Sequence, residues 1–331
     1  MSKIRAVIVS YSDPQAAARA VKSLMDQTVD LSEIVVVNNR PNESVVETGN
    51  GVTLIEPATN LGYAGGANLG ALGSDSDWLF FLNPDAVAAE DCLSSLLEAA
   101  SDADVGAVGA QVLLPDGRVN AGDNPLHISG LSWSGRYGEP PEAGPPRDVA
   151  VVSGAAVLVR TAAWEALGGL AEEFFLYYDD VDFALRLQIA GWRVVFQPAA
   201  IVEHDYEFDK GDLKWFYLER NRAWSIATVP SGRTLLLLAP LLAASEIGLL
   251  ARAIREGWWR QKLRAWRSVL SNLTAIEQRR RVVQATRTNS DRGWLQLTQS
   301  AVDSPLAASG VARIAAPLLS WYRKVVIWAA G

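Results

Sequence analysis

Four short stretches of the chain carry residue types that can do chemistry. Leu82-Asn83-Pro84-Asp85-Ala86 follows directly on the apolar run Trp78–Leu82. A carboxylate at the end of a buried strand, here Asp85, can hold a hard divalent cation. That cation can in turn bind a diphosphate and stabilise charge on a departing phosphate. Asn, Pro and Asp also favour turns for local reasons, so the same text suits an ordinary strand-to-helix turn. Phe174 to Asp182 sets Asp179, Asp180 and Asp182 at the start of a helical pattern. The helix dipole favours ionised acids there, and one of them can accept a proton from a hydroxyl. Simple N-capping accounts for one aspartate well and for three less well. His204, in Val202-Glu203-His204-Asp205, is one of two histidines. A neutral imidazole suits a metal such as manganese, although a lone histidine is more often structural or solvated. His127 has no comparable setting. Finally, Asn60-Leu61-Gly62-Tyr63-Ala64-Gly65-Gly66-Ala67-Asn68-Leu69-Gly70 places glycines before and inside a helix start. These let backbone approach a phosphate or sugar, and tight helix–sheet packing asks for the same small residues. The spacing is not GxGxxG, which gives a dinucleotide fold little support.

Those residues need a scaffold, and the first half of the chain alternates strand-like and helix-like text. Arg5–Ser10, Glu33–Val37, Val52–Ile55, Trp78–Leu82 and Val105–Val112 are short apolar or β-branched runs. Helical patterns open at Pro14 and cover Tyr63–Leu72 and Ala89–Ala100. Residues 115–148 are rich in Gly, Pro, Asp and Asn and are expected to be loops. Val149–Arg160 reads as one long strand, Ala162–Leu167 as a short helix and Asp179–Ala190 as a clear one, with short strands at Arg193–Phe196 and Ile201–Glu203. This order predicts a layered α/β domain with a largely parallel sheet, its ligand crevice at the carboxyl ends of the strands.

With 331 residues, 49% of them apolar, the chain can bury a large core and is expected to form a domain with an appendage, or two domains. The boundary is expected near residue 210. Cys92 is the only cysteine, which excludes an internal disulfide and a cysteine-based zinc cluster; it is expected to be a small buried apolar residue. The N-terminus runs straight into a strand without an apolar signal core, so no signal peptide is expected. Residues 1–209 carry 11 Lys/Arg and 30 Asp/Glu (−19), and residues 210–331 carry 19 and 7 (+12), which together give −7. The basic C-terminal part is thus suited to an anionic partner. Asp212–Thr228 reads as helical. Leu235–Leu250 is strongly apolar, broken by Pro240, contains Glu246 and is shorter than a membrane span of ~20 residues. Arg252–Arg287 mixes Arg with Trp258, Trp259 and Trp266, and the end of the chain is again apolar and Trp-bearing. Such text suits an interfacial membrane helix system, and it equally suits a soluble helical appendage or a dimer contact. The acidic first part and the lack of a nucleic-acid motif exclude nucleic acid as the expected partner.

Taken in order, VIVSYSD, VVVNN, NLGYAGGANLG, FLNPDA, GAAVLVR, FFLYYDDVDFALRLQIAGWRVVFQPAAIVEHD and ERNR resemble the family 2 glycosyltransferases of the GT-A fold, especially their bacterial rhamnosyltransferase-like branch, over residues 4 to about 222. The resemblance implies a Rossmann-like α/β fold over 1–210, with a mixed, mostly parallel sheet flanked by helices, and a helical region over 211–331. It makes Asp85 and His204 ligands of a divalent cation (Mg2+ or Mn2+) and Asp180 the catalytic base. Asn83 departs from the Asp of the family's Asp-x-Asp motif. Ser10 and Tyr11 line the nucleobase and ribose site, and Asn38 stands where an Asp commonly faces the pyrimidine. Asn60, Gly62, Gly66, Asn68 and Asp179 join the donor-binding set. Arg220 and Arg222 are candidates for diphosphate contact, since guanidinium forks suit phosphate oxygens; a solvated basic helix would look the same. The activity implied is inverting transfer of a sugar, rhamnose-like, from a dTDP- or UDP-sugar to a hydroxyl of a lipid-linked cell-envelope glycan. The enzyme would be cytoplasmic and peripheral on the inner face of the plasma membrane. Alternatives are a soluble natural product or protein as acceptor, and a catalytically silent sugar-nucleotide-binding scaffold.

Overall fold

Almost every side chain of strand β1 (Ile4–Ser10) is buried, so the strand needs cover on both faces, as in an α/β sheet. Helix α1 (Pro14–Met25) supplies part of it. The Asp13 carboxylate accepts the N–H groups of Gln15 and Ala16, each at 2.9 Å, and Pro14 in the first turn forfeits no helical hydrogen bond. Ala16, Ala17, Ala20, Val21 and Leu24 form its buried face. The structure, a computed structural model, describes residues 2–11, 13–40, 51–205, 211–302 and 310–331. The boundary expected near 210 lies outside the described residues.

β1 pairs in parallel with β2 (Glu33–Asn38) on one side and β4 (Trp78–Leu82) on the other, and β3 (Val52–Ile55) extends the sheet beyond β2. Helix α2 (Gly62–Ala71) connects β3 to β4. After β4 come β5 (Ala86–Ala88), α3 (Cys92–Ala99), β6 (Val105–Leu113), β7 (Val119–Ala121), β8 (Asp123–Asn124), β9 (Arg147–Asp148), β10 (Val151–Val152), β11 (Ala156–Arg160), α4 (Thr161–Leu167), α5 (Asp179–Ile189) and β12 (Arg193–His204). Among the described residues the main sheet runs β3-β2-β1-β4-β11-β6-β12-β5. It is parallel from β3 to β4 and between β6 and β12, with β11 inserted antiparallel. Ile8, Val36, Phe80, Leu82, Leu93 and Leu96 belong to one core cluster spanning sheet and helices, and Cys92 lies fully buried in it.

Three expectations change in detail. The loop-rich stretch 115–148 holds the short strands β7, β8 and β9. The run read as one strand from Val149 is two, because the chain leaves the ladder at Ser153-Gly154. Conversely, the two strands expected at Arg193–Phe196 and Ile201–Glu203 are one, β12, whose register shifts between Gln197 and Ile201 around Pro198. A proline gives no ladder hydrogen bond, and a bulge absorbs the loss.

The chain divides into two compact units. The first comprises Met1–Asn124, Ser134–Leu187 and Trp192–Tyr206; the second comprises Pro125–Trp133, Gln188–Gly191 and Glu207–Gly331. The second unit is helical: α6 (Asp212–Thr228), α7 (Gly232–Glu256), α8 (Trp259–Ser271), α9 (Leu273–Ala285), α10 (Arg292–Gln296) and α11 (Gly310–Ala329). Helix α7 has 25 residues and continues through Pro240, so it is longer than the apolar run Leu235–Leu250 and long enough, by length and composition, to cross a membrane. Its ends are set by local chemistry. The Ser231 hydroxyl accepts the Thr234 N–H at 3.2 Å, and Gly257 closes the helix at φ +88°. Inside this unit Arg222 pairs with Glu219 at 3.0 Å and with Glu246. Lys262, almost fully buried, pairs with Glu246 at 2.7 Å and with Glu219. The indole N–H of Trp266 donates to Glu246 at 2.7 Å.

Candidate active site

Strand pairing builds the first part of the site. β5 pairs antiparallel with the end of β12, setting His204 opposite Ala86, the residue after Asp85. Two residues 119 apart in sequence thereby meet: Nε2 of His204 stands 2.9 Å from Oδ1 of Asp85. Asn83 Nδ2 is 3.4 Å from the same ring nitrogen. The imidazole is buried, whereas about a third of the Asp85 side chain (32%) faces solvent. One hard oxygen and one imidazole nitrogen, open on one side, fit Mg2+ or Mn2+. Such ions keep waters and take substrate phosphates beside one or two protein ligands. Among the described residues no group of three or more His, Cys, Asp or Glu is arranged to hold a metal.

The second part is joined to the first through backbone. The Asn83 N–H donates to the Ala155 carbonyl at 2.8 Å, and the neighbouring Gly154 N–H donates to Oδ2 of Asp180 at 3.3 Å. Oδ1 of Asp180 accepts the Val181 N–H at 2.8 Å. Gly154 is held from the other side by the Tyr63 hydroxyl, which donates to its carbonyl at 3.1 Å. Phe175, Tyr177 and Tyr178, just before α5, all have φ between +62° and +67°. Non-glycine residues rarely adopt this region, and such strain is typical of loops that position reacting groups. The loop is tied to α2, where the Phe175 carbonyl accepts the Tyr63 N–H at 2.7 Å. Gly62 permits this approach, because a Cβ there would lie 2.3 Å from that carbonyl oxygen and its φ is +71°.

The acids at the start of α5 divide by environment. Burial, and then the negative charge of Asp180, pushes Asp179 up to about 7. Burial also raises Asp180, but the N–H groups of Val181 and Gly154 oppose it by favouring the ionised form. Of the two, Asp180 is the one whose carboxylate form is favoured by backbone donors on both oxygens. An apolar cavity lined by Phe81, Val159, Trp164 and Phe183 backs both aspartates and supplies the desolvation. Asp182 is fully buried and paired with Arg186 at 2.7 Å, so it serves packing.

At the strand ends of β1 and β2, Ser10 and Asn38 are side by side in register and both buried. Asn38 Nδ2 donates to Glu56 at 3.0 Å. Tyr11 is exposed, with the Arg40 guanidinium 5.8 Å from its ring centre. Asn60 accepts the Gly62 N–H at 2.8 Å, and a Cβ on Gly66 would stand 2.6 Å from Val9. Two of the expected residues are committed elsewhere. Asn68 spends its amide on Leu170 (3.0 and 2.9 Å) and Glu172 (3.0 Å), fastening α2 to the following loop. Arg222 is buried in the second unit's ion cluster, where two carboxylates neutralise it, so a phosphate would have to break that cluster to reach it. Arg220 lies over the rings of Phe216 and Tyr217 and donates to Asn221 at 2.9 Å.

Sequence reasoning assigned no role to Gly154, Tyr63, Asn39 or Glu56. Asn39 is buried and bonds Leu61 N–H (2.9 Å) and Gly62 O (2.7 Å), which sets the entry to α2. For Gly154 a signal was present, since Ser153-Gly154 interrupts an apolar run. Its contact with Asp180, 26 residues away, was not readable locally.

A mixed, mostly parallel sheet flanked by helices, with a helical region after it, is the architecture of the GT-A glycosyltransferases. The chain matches the family described as "Glycosyltransferase like family 2" over residues 2–227, and it belongs to that family. It is similar to the N-acetylglucosaminyl-diphospho-decaprenol L-rhamnosyltransferase of Mycobacterium tuberculosis, with 29% identity over 288 residues, 78% of this chain and 87% of that protein. It is also similar to the O-antigen biosynthesis protein RfbC of Myxococcus xanthus, with 30% identity over 57% of this chain and 16% of that protein. Among solved structures, GalNAc-T7 with UDP, GalNAc and Mn2+ shares the fold at a TM-score of 0.60 and 14% identity, covering 73% of this chain and about half (51%) of that one. Staphylococcus aureus TarS does so at 0.57 and 13%, covering 97% and 53%.

Proposed function

We propose that this glycosyltransferase moves a hexose, rhamnose-like, with inversion from a dTDP- or UDP-sugar to a hydroxyl of a lipid-linked glycan of the cell envelope. The observation that carries the reading is the join, through Asn83, Ala155 and Gly154, between the Asp85–His204 pair and an aspartate whose charge is held by two backbone N–H groups. Similarity to an enzyme named for an N-acetylglucosaminyl-diphospho-decaprenol acceptor supports the choice of acceptor, and with it a site of action at the inner face of the plasma membrane.

Asp85 and His204 would hold the divalent cation, which when bound supplies electrostatic stabilisation of the leaving diphosphate. The chain's own residues supply the remainder. Asp180 accepts the acceptor hydroxyl's proton as that oxygen attacks the anomeric carbon. Asp179, keeping its proton below about pH 7, spares Asp180 a second charge beside it. Gly154 and Val181 hold Asp180 in place, which lowers the reorganisation needed at the moment of attack. Tyr11, exposed at the end of β1, is offered to the nucleoside, with Ser10 and Asn38 buried beside it.

A thermal-shift panel of dTDP-, UDP- and GDP-sugars with Mg2+ or Mn2+ tests the donor. A dTDP- or UDP-sugar should raise the melting temperature in a metal-dependent way, and stabilisation by GDP-sugars alone would contradict the reading. Asp180→Asn should lower turnover by about 10²- to 10⁴-fold while donor binding stays; near-normal turnover would remove Asp180 as the base.

A further inference from the structure

Helix α7 is apolar outside and charged inside. Leu236, Pro240, Ala243, Ile247, Ala251 and Ile254 recur every three or four residues, and all six are exposed. This spacing puts them on one helical face. Between Arg233 and Arg252 the only ionisable residue is Glu246. It points the other way, to Arg222 of α6 and to Lys262 and Trp266 of α8. Were α7 to cross a bilayer, this four-charge cluster and the two polar helices fastened to it would lie at hydrocarbon depth, where ionised groups are costly. Helix α11 packs beside α7 and carries exposed apolar residues of its own. Tyr322 of α11 donates to the Leu237 carbonyl of α7, and α11 exposes Leu318 (66%), Trp321 (61%) and Trp328 (78%). Trp259 on α8 is exposed as well.

We propose that the helical unit seats on an anionic lipid surface with α7 lying in its plane, the face from Leu236 to Ile254 among the acyl chains and the face bearing Glu246 held in the ion cluster. The partner follows from charge and side-chain type. Arg233 and Arg255 are exposed at the two ends of α7, and Arg260, Arg264 and Arg267 along α8. Within residues 210–331 the balance is 19 Lys/Arg against 7 Asp/Glu. Such a surface is drawn to acidic headgroups, and tryptophan favours the headgroup boundary. A second copy of this chain would bring like charge against like. The inference deepens the membrane-proximal part of the reading above, because an acceptor anchored in lipid is reached at a bilayer. It rests on that reading only for its biological purpose.

The full-length chain is tested by flotation with vesicles of phosphatidylglycerol and phosphatidylcholine, beside vesicles of phosphatidylcholine alone. Binding should require the anionic lipid and weaken with salt. Ile247→Glu on the exposed face should lower it by at least about tenfold. Depth is read from an environment-sensitive dye on Leu236→Cys, Ile247→Cys or Ile254→Cys, Cys92 being buried. In-plane seating predicts equal quenching depth at all three positions. A deep Ile247 between two shallow ends would overturn the proposal in favour of a spanning helix. So would absence of binding to anionic vesicles, or self-association that Ile247→Glu abolishes while vesicle binding persists. The nucleotide-sugar thermal shift, run without vesicles on the same preparations, reports on the transferase reading separately.

Discussion

Replacing Asp179 by Asn isolates the titration at the heart of the site. The native carboxyl is nearly isosteric with the amide, and Asp179 is buried with a pKa raised from 3.8 to about 7. Between those values the folded protein holds a proton that the unfolded chain has released, so stability falls as pH rises through that window. Each pH unit is worth about 1.4 kcal/mol, and the whole window amounts to roughly 4 kcal/mol. From pH 5.5 to 8 about 1.5 units of it remain, or roughly 2 kcal/mol. The variant lacks this loss. Its stability advantage over the native chain should therefore grow by roughly 2 kcal/mol between pH 5.5 and 8, whatever constant offset the amide brings. Urea unfolding at the two pH values, with the slope m checked for constancy, measures the increment. An advantage that stays flat with pH would show that Asp179 is ionised throughout.

Asp85→Ala or His204→Ala should abolish the metal-dependent part of nucleotide-sugar binding, read by calorimetry with and without EDTA; donor affinity that ignores both changes would count against the cation pair. Gly62→Ala forces a Cβ to 2.3 Å from the Phe175 carbonyl at a positive φ. It should cost about 1–3 kcal/mol, seen as a lowered melting temperature, and shift the loop that carries Asp179. Burial would push Glu246 up, but Arg222 and Lys262 outweigh it and hold the carboxyl at about 2. The stability this group contributes is present above its ordinary value of 4.5 and is lost as pH falls toward 2. Glu246→Gln should accordingly cost about 3–5 kcal/mol at neutral pH, measured by denaturation, with the gap to the native chain closing in acid.

Features that depend on neighbours in sequence were legible from the text. The strands β1, β2, β3 and β4 follow from β-branched and aromatic runs, the start of α1 from Pro14, and the crowded helix α2 from its glycines. Composition alone exposed the acidic and basic halves. The ordered motifs pointed to Asp85, His204 and Asp180 because each lies where a strand ends or a helix begins, a position that local pattern can supply. What local pattern could not supply was contact across long separations. The meeting of Asp85 with His204 requires β12 to run unbroken past Pro198 and pair with a three-residue strand. The Gly154 N–H reaches Asp180, 26 residues on, only because the chain leaves the ladder there. Arg222 looked available to a phosphate as one basic residue among many. Its burial among Glu219, Glu246 and Lys262 depends on how three helices pack, and side-chain type carries no record of which way a helix is turned.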